Sequence, residues 1–257
     1  MKKLVTAACA LAAASAFAVE SANVVGYTTQ AVTADTYYMI GVQFQTVGGN
    51  TSEIGLNDLV KLNGIAAAAY TDMDTSAAKI LVNTASGYDF YYYLSDAYDS
   101  NGDEVTGWAD GTGDLADGTM ALGDGFWFIA PVVGSSASIS VKGEVTKVVN
   151  PVVSFGAGWS IIANPFPVDT SLANVTTSGL VAVGYSEMDT AAAQILVNTA
   201  SGYDFYYYLS DAYDSNGDEV TAWADGTGDA CSGTQVSAGE GFWMKAPAAG
   251  SLTFALQ

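Results

Sequence analysis

The chain has 257 residues, half of them hydrophobic and 13% charged, with 27 acidic side chains against seven lysines, no arginine and no histidine. A formal charge of −20 repels phosphate backbones, which argues against nucleic acid as a partner unless a metal bridges the two. Lacking histidine, the chain has no side chain that titrates near neutrality unperturbed, no Ser-His or Cys-His nucleophile pair and no imidazole ligand for zinc.

Met1-Lys2-Lys3, the apolar run Leu4 to Ala14 and the small-x-small site Ala16-Phe17-Ala18 read as a secretory signal peptide over 1–18, too short for a membrane span. Its removal would leave 239 residues at a charge of −22 and take Cys9 with it. Cys231 then has no intramolecular partner for a disulfide and is expected to be a lone, partly buried thiol. Secretion to the cell surface or beyond, with no membrane span, is the expected localisation.

In chain order, a first strand is expected over Asn23 to Val32, a turn or two of helix within Glu53 to Leu62, and a strand over Gly64 to Tyr70. Ile80-Leu81-Val82 and Tyr88 to Leu94 flank the small polar turn 83–87 as a hairpin. The second of these alternates with period 2, placing Tyr88, Phe90, Tyr92 and Leu94 on one face and Asp89, Tyr91 and Tyr93 on the other. Further strands are expected at Val105 to Trp108, Gly125 to Ala130 and Ser138 to Val145.

The strongest signal is internal repetition. Asp74 to Asp114 and Asp189 to Asp229 differ at three of 41 positions, Ser76/Ala191, Lys79/Gln194 and Gly107/Ala222. The offset of 115 residues points to a duplication into two modules, 19–144 and 145–257, each of ordinary domain size. Many short strands broken by Gly-rich turns predict an all-β fold of two tandem sandwich-like modules.

At LGDGFWFIAP (Leu122 to Pro131), VKGEV (Val141 to Val145) and GWSIIANPFP (Gly158 to Pro167) the chain resembles a family of exported bacterial β-repeat proteins. Their modules carry a Gly-Glu-Gly-Phe-aromatic strand, a Gly-Glu-Val linker and a Gly-Trp-Ser-Leu-Ile-Ala-Asn-Pro-like strand in that order. The resemblance implies secretion and a β-fold. Its motifs mark packing and turns, so it carries no catalytic residue to this chain.

Three candidate sites follow from the residues. Asp99, Asn101, Asp103 and Asp110, repeated as Asp214, Asn216, Asp218 and Asp225, place oxygen side chains at positions 1, 3, 5 and 12 of a loop, spacing that suits calcium. Glu104 at position 6, where an EF-hand needs glycine, leaves a polar hairpin turn as the competing expectation. Tyr91, Tyr93, Tyr206 and Tyr208 are expected to form a partner or glycan surface, whereas Trp127 and Trp243 are expected in the core. Val24, Val25 and Tyr27 at the start, with Leu252 and Phe254 at the end, are candidates for strand addition between copies. The functional expectation is a non-enzymatic, homo-oligomeric or polymeric structural protein of an extracellular fibre, sheath or matrix, with calcium as a candidate stabiliser. A glycan-binding or adhesive module using the tyrosine-rich faces is the alternative.

Overall fold

The computed structural model describes residues 25–48, 53–84, 86–131, 136–199 and 201–255; the expected signal peptide and Val24 lie outside them. The first half contains strands β1 (Val25–Ala31), β2 (Tyr37–Gly41), β3 (Phe44–Gln45), β4 (Glu53–Gly55), β5 (Val60–Asn63), β6 (Lys79–Thr84), β7 (Gly87–Tyr98), β8 (Glu104–Ala109), β9 (Thr119–Ala121), β10 (Gly125–Ile129) and β11 (Ser138–Val145), with the short helices α1 (Leu56–Leu59) between β4 and β5 and α2 (Met73–Ser76) before β6. The second half contains β12 (Val152–Phe155), β13 (Gly158–Ala163), β14 (Thr170–Ser171), β15 (Val175–Ser178), β16 (Gln194–Thr199), β17 (Gly202–Tyr213), β18 (Glu219–Ala224), β19 (Gln235–Val236), β20 (Gly241–Ala246) and β21 (Gly250–Phe254). The fold is all-β.

In the first half, a five-stranded antiparallel sheet ordered β2-β10-β6-β7-β8 faces a smaller sheet in which β11 pairs with β1 on one side and with β3 and β5 on the other. Between them lie Ile40, Phe44, Ile80, Trp108, Phe126, Phe128, Ile139 and Val141. Period-2 strands supply these residues from one face each, and burying an aromatic or branched side chain contributes about 1.5–3 kcal/mol. The second half repeats the plan, with β13-β20-β16-β17-β18 against β12-β21-β15 and a core of Phe155, Ile162, Ile195, Trp223, Phe242, Leu252 and Phe254. The long strands β7 and β17 carry the same sequence and the same alternation of burial.

Two expectations change. Gly64 to Tyr70 is not a strand; Ala68 makes a single parallel bridge to Leu94 before a helical turn at Tyr70–Asp72. The helical expectation within Glu53 to Leu62 shrinks to α1, with a short strand on either side.

The halves meet through equivalent strands. Gly41 lies opposite Gly125 in one sheet as Ala163 lies opposite Gly241 in the other. Across the seam Gly41 N donates to Gly239 O at 3.0 Å, and its counterpart Ala163 N donates to Gly123 O at 2.7 Å. Single bridges join Ile40 to Glu240 and Ile162 to Asp124. This reciprocity is that of an isologous, pseudo-twofold contact. The Gly-x-Gly-Phe-Trp segments build it. A Cβ on Gly125 would stand 2.5 Å from Ile161 Cγ2, and one on Gly241 would stand 2.9 Å from Met39 Cγ, so glycine is what lets the backbones close. Trp127 and Trp243 meet edge to face at 6.2 Å and are flanked by Tyr37 at 6.0 Å and Trp159 at 5.7 Å. The two tryptophans therefore belong to the seam, half-buried, and not to either module's core.

Candidate functional site

The acidic residues are divided between two turns in each half. Asp99 Oδ1 accepts the backbone N–H groups of Asn101 (2.8 Å) and Asp103 (2.9 Å), and Asn101 Nδ2 donates to Asp99 Oδ2. Asp110 Oδ1 accepts from the amide and hydroxyl of Thr112 and from the amide of Asp114. The second half reproduces these bonds around Asp214 and Asp225. Hydrogen bonds from the Asp103 and Asn101 amides hold the Asp99 carboxyl below its ordinary range. For Asp110, partial burial alone would raise it, and the bonds from Thr112, Asp114 and Gly113 together bring it below. Each turn thus closes on its own amides, as an Asx turn does. Among the described residues, no three acidic or cysteine side chains are grouped to hold a metal ion.

The four tyrosines are half-buried and do not form one open face. Tyr91 and Tyr93 turn inward onto the main core of the first half, and Tyr206 and Tyr208 do so in the second. Tyr92 and Leu94, on the other face of β7, bury against a second cluster containing Ala68, Ala77, Ala97 and Ala109. Both faces of the strand are covered because the chain segments before and after the hairpin fold over it. Of the aromatics on β7, Tyr88 and Phe90 near the hairpin and Tyr98 at the acidic turn are left exposed, as are Tyr203, Phe205 and Tyr213 on β17.

The terminal strands are also placed differently. Leu252 and Phe254 are buried in β21, whose two edges are taken by β12 and β15; the C-terminal strand has no open edge to receive a partner. At the other end β1 is integral to its own module, since it pairs along its length with β11 and Gly26 packs on Phe44. Removing it would uncover the core, so it is not a detachable donor strand. It is nevertheless an edge strand, pairing among the described residues only with β11, and it presents Val25 (60% exposed) and Tyr27 (75% exposed) on its outer face.

Each half has a pocket between the small sheet and the strand after the acidic turn. The first, about 280 Å³, is lined by Asn57, Lys61, Tyr93, Asp99, Thr106 and Trp108 among others. The second, about 360 Å³, is lined by Leu172, Thr176, Tyr208, Asp214, Thr221 and Trp223 among others. Tyr93 stands 5.4 Å from Trp108 and Tyr208 5.4 Å from Trp223, ring centre to ring centre. These pockets gather one member of the expected acidic set and one of the expected tyrosines in each half. Sequence reasoning missed their convergence because it depends on β5 and β15, whose places in the small sheet leave no local pattern. One of the three differences within the repeat is explained here. Asn57 Oδ1 accepts the Trp108 N–H at 2.7 Å, in space that a Cβ at Gly107 would invade at 2.8 Å from that oxygen. In the second half Ala222 stands opposite Leu209 as Gly107 does opposite Leu94, and Leu172 and Ala222 line the pocket together.

A wider groove of about 760 Å³ lies at the seam, lined by β1, β2 and the segment 237–240. Glu240 beside it and its seam counterpart Asp124 are both raised above the ordinary carboxylate range, chiefly by burial. Comparison with protein-family models, with curated proteins and with solved structures finds no match to the chain.

Proposed function

We propose that the chain is an exported, non-enzymatic structural protein that self-associates into an extracellular fibre, sheath or matrix. The observation that carries this reading is the outer face of the small sheet in the first half. Lys61 lies opposite Ser140 and Lys142 opposite Tyr27, and the Thr29 and Ser140 hydroxyls bond at 2.8 Å on that same face. Of the five lysines among the described residues, Lys79 and Lys245 stack on Tyr92 and Trp159 and Lys147 pairs with Glu144 at 3.5 Å, while Lys61 and Lys142 belong to this sheet. In the second half Thr176 occupies the place of Lys61. An apolar-aromatic edge with a local positive charge, on a molecule of charge −20, suits the acidic turns of another copy. Because the face occurs once and the turns twice, such contacts are heterologous and run head to tail, giving a filament where the rotation between copies does not close a ring.

The reading does not depend on calcium, since the acidic turns already satisfy themselves through backbone amides. Its test is sedimentation velocity on the double variant Lys61→Glu/Lys142→Glu. Wild-type protein is expected to associate at low salt and dissociate at about 0.5 M salt, where the Debye length falls below 5 Å. The variant is expected to remain monomeric with an unchanged unfolding midpoint; a variant that associates like wild type refutes the assignment.

A further inference from the structure

We infer that the two pockets flanking the acidic turns are a matched pair of binding sites for a neutral saccharide, making the chain a bivalent glycan binder. The inference does not rest on self-association, but Lys61 and the acidic turns border these pockets as well, so binding is measured at about 0.5 M salt, where copies are expected to separate. Its first support is that the pocket occurs twice in equivalent positions, with Tyr93, Asp99, Thr106 and Trp108 in one answering to Tyr208, Asp214, Thr221 and Trp223 in the other. Outside the 41-residue repeat the lining differs, as in Asn57 against Ala173 and Lys61 against Thr176, yet a cavity persists in both.

The second support is an unmet donor in the same place twice. Trp108 and Trp223 are 1% and 2% exposed, and the indole N–H of each is buried without an acceptor among the described residues. Buried donors without partners are uncommon, and each points to a water or a ligand oxygen in the working protein. Both tryptophans line the pockets, and a hydroxyl-bearing ligand that shifts the lining over the indole would supply such an oxygen.

The third support is the chemistry of the lining. Aromatic rings offer an apolar platform. Around it stand a carboxylate anchored by two amides and the hydroxyls of Thr106 in the first pocket, or of Thr176, Ser215, Thr221 and Ser232 in the second. Carboxylates accept and hydroxyls both donate and accept, which matches the alternating donors and acceptors of a sugar ring. Neutral sugars are selected because Asp99 and Asp214, within a strongly acidic molecule, repel uronates and sulfated glycans; Lys61 stands beside Asp99 in the first pocket, so the discrimination is sharper at the second, which has no lysine. Volumes of about 280 and 360 Å³ sit at the small end of ligand sites, room for a short stretch of chain.

The test uses the whole protein with three neutral hexasaccharides, cellohexaose, xylohexaose and mannohexaose, and with a galacturonate hexamer as the anionic control. Calorimetry is expected to find saturable binding of at least one neutral hexamer at two sites per chain, and at least tenfold weaker binding of the galacturonate. Binding should shift the Nε1–H signals of Trp108 and Trp223 in NMR spectra. Thr106 and Thr221 are exposed strand positions, so Thr106→Trp and Thr221→Trp should plug the pocket mouths without unfolding the protein. Each single variant should halve the stoichiometry and lower avidity for an immobilised glycan at least tenfold, and the double variant should bind nothing. The inference is overturned by no saturable binding of any neutral hexamer, by equal binding of the galacturonate, or by two-site binding that survives in the folded double variant.

Discussion

Replacing Gly123 by alanine tests the seam between the halves. Gly123 has φ +87° and sits against the side chain of Val153 from the other half, so a methyl group there overlaps Val153 Cγ2. Holding a non-glycine residue in that backbone region costs about 1–2 kcal/mol, and forcing one methyl into a filled space adds about 1–3 kcal/mol. The sum, about 2–5 kcal/mol, lowers the unfolding midpoint by roughly 4–20 °C for a chain of this size. Gly102 is the internal control: its φ is +81°, yet nothing lies within 4 Å of the added carbon, so Gly102→Ala should lose only the conformational part. Urea unfolding followed by tryptophan fluorescence is the assay, because Trp127 and Trp243 meet at the seam. Adding Val153→Ala to Gly123→Ala removes the overlap and should show a favourable coupling of about 1–3 kcal/mol. If Gly123→Ala costs no more than Gly102→Ala, the seam is not packed as described.

Three further outcomes are expected. Asp99, Asp110 and their counterparts titrate lower in the folded chain than in the unfolded one, so the stability they contribute is present above about pH 4 and lost as pH falls through their folded values. Asp124 and Glu240 are raised and act in the opposite sense. Asp124→Asn should therefore raise the melting temperature at pH 7 more than at about pH 3, and equal shifts at both values contradict this. Chelation with EDTA and addition of calcium should leave the melting temperature unchanged, because the turns close without an ion; a chelator-sensitive midpoint would show that a cation bridges them. Cys231 is buried, and burial chiefly pushes its thiol up to about 11, so it should resist a disulfide exchange reagent at pH 8 until urea unfolds the chain. Rapid labelling of the folded protein would contradict that placement.

The all-β class and the strands flanking the central hairpin were legible because period-2 alternation and Gly-rich turns are local. Ile80-Leu81-Val82, the turn after it and the long tyrosine-rich strand were placed from sequence with their pairing partner. What a strand's second face meets is not local. Alternation separates Tyr91 and Tyr93 from Tyr92 and Leu94 without saying which side receives the larger core, and segments distant in sequence decided it. The acidic loops show a related limit: spacing alone cannot distinguish oxygens aimed at an ion from oxygens aimed at the turn's own amides. Trp127 and Trp243 follow Gly-Phe in apolar strands and resemble core residues, but the preceding glycines place them where two halves meet. The twin pockets had no linear signature, since Asp99 and Trp108 meet Lys61 only where the large sheet packs against the small one.

Self-association is the central claim, and sedimentation velocity of the wild-type protein across a concentration series, at low salt and at about 0.5 M salt, tests it most directly. A distribution that grows with concentration at low salt and collapses to monomer at high salt is expected. A single monomeric species at every concentration and both ionic strengths would contradict it.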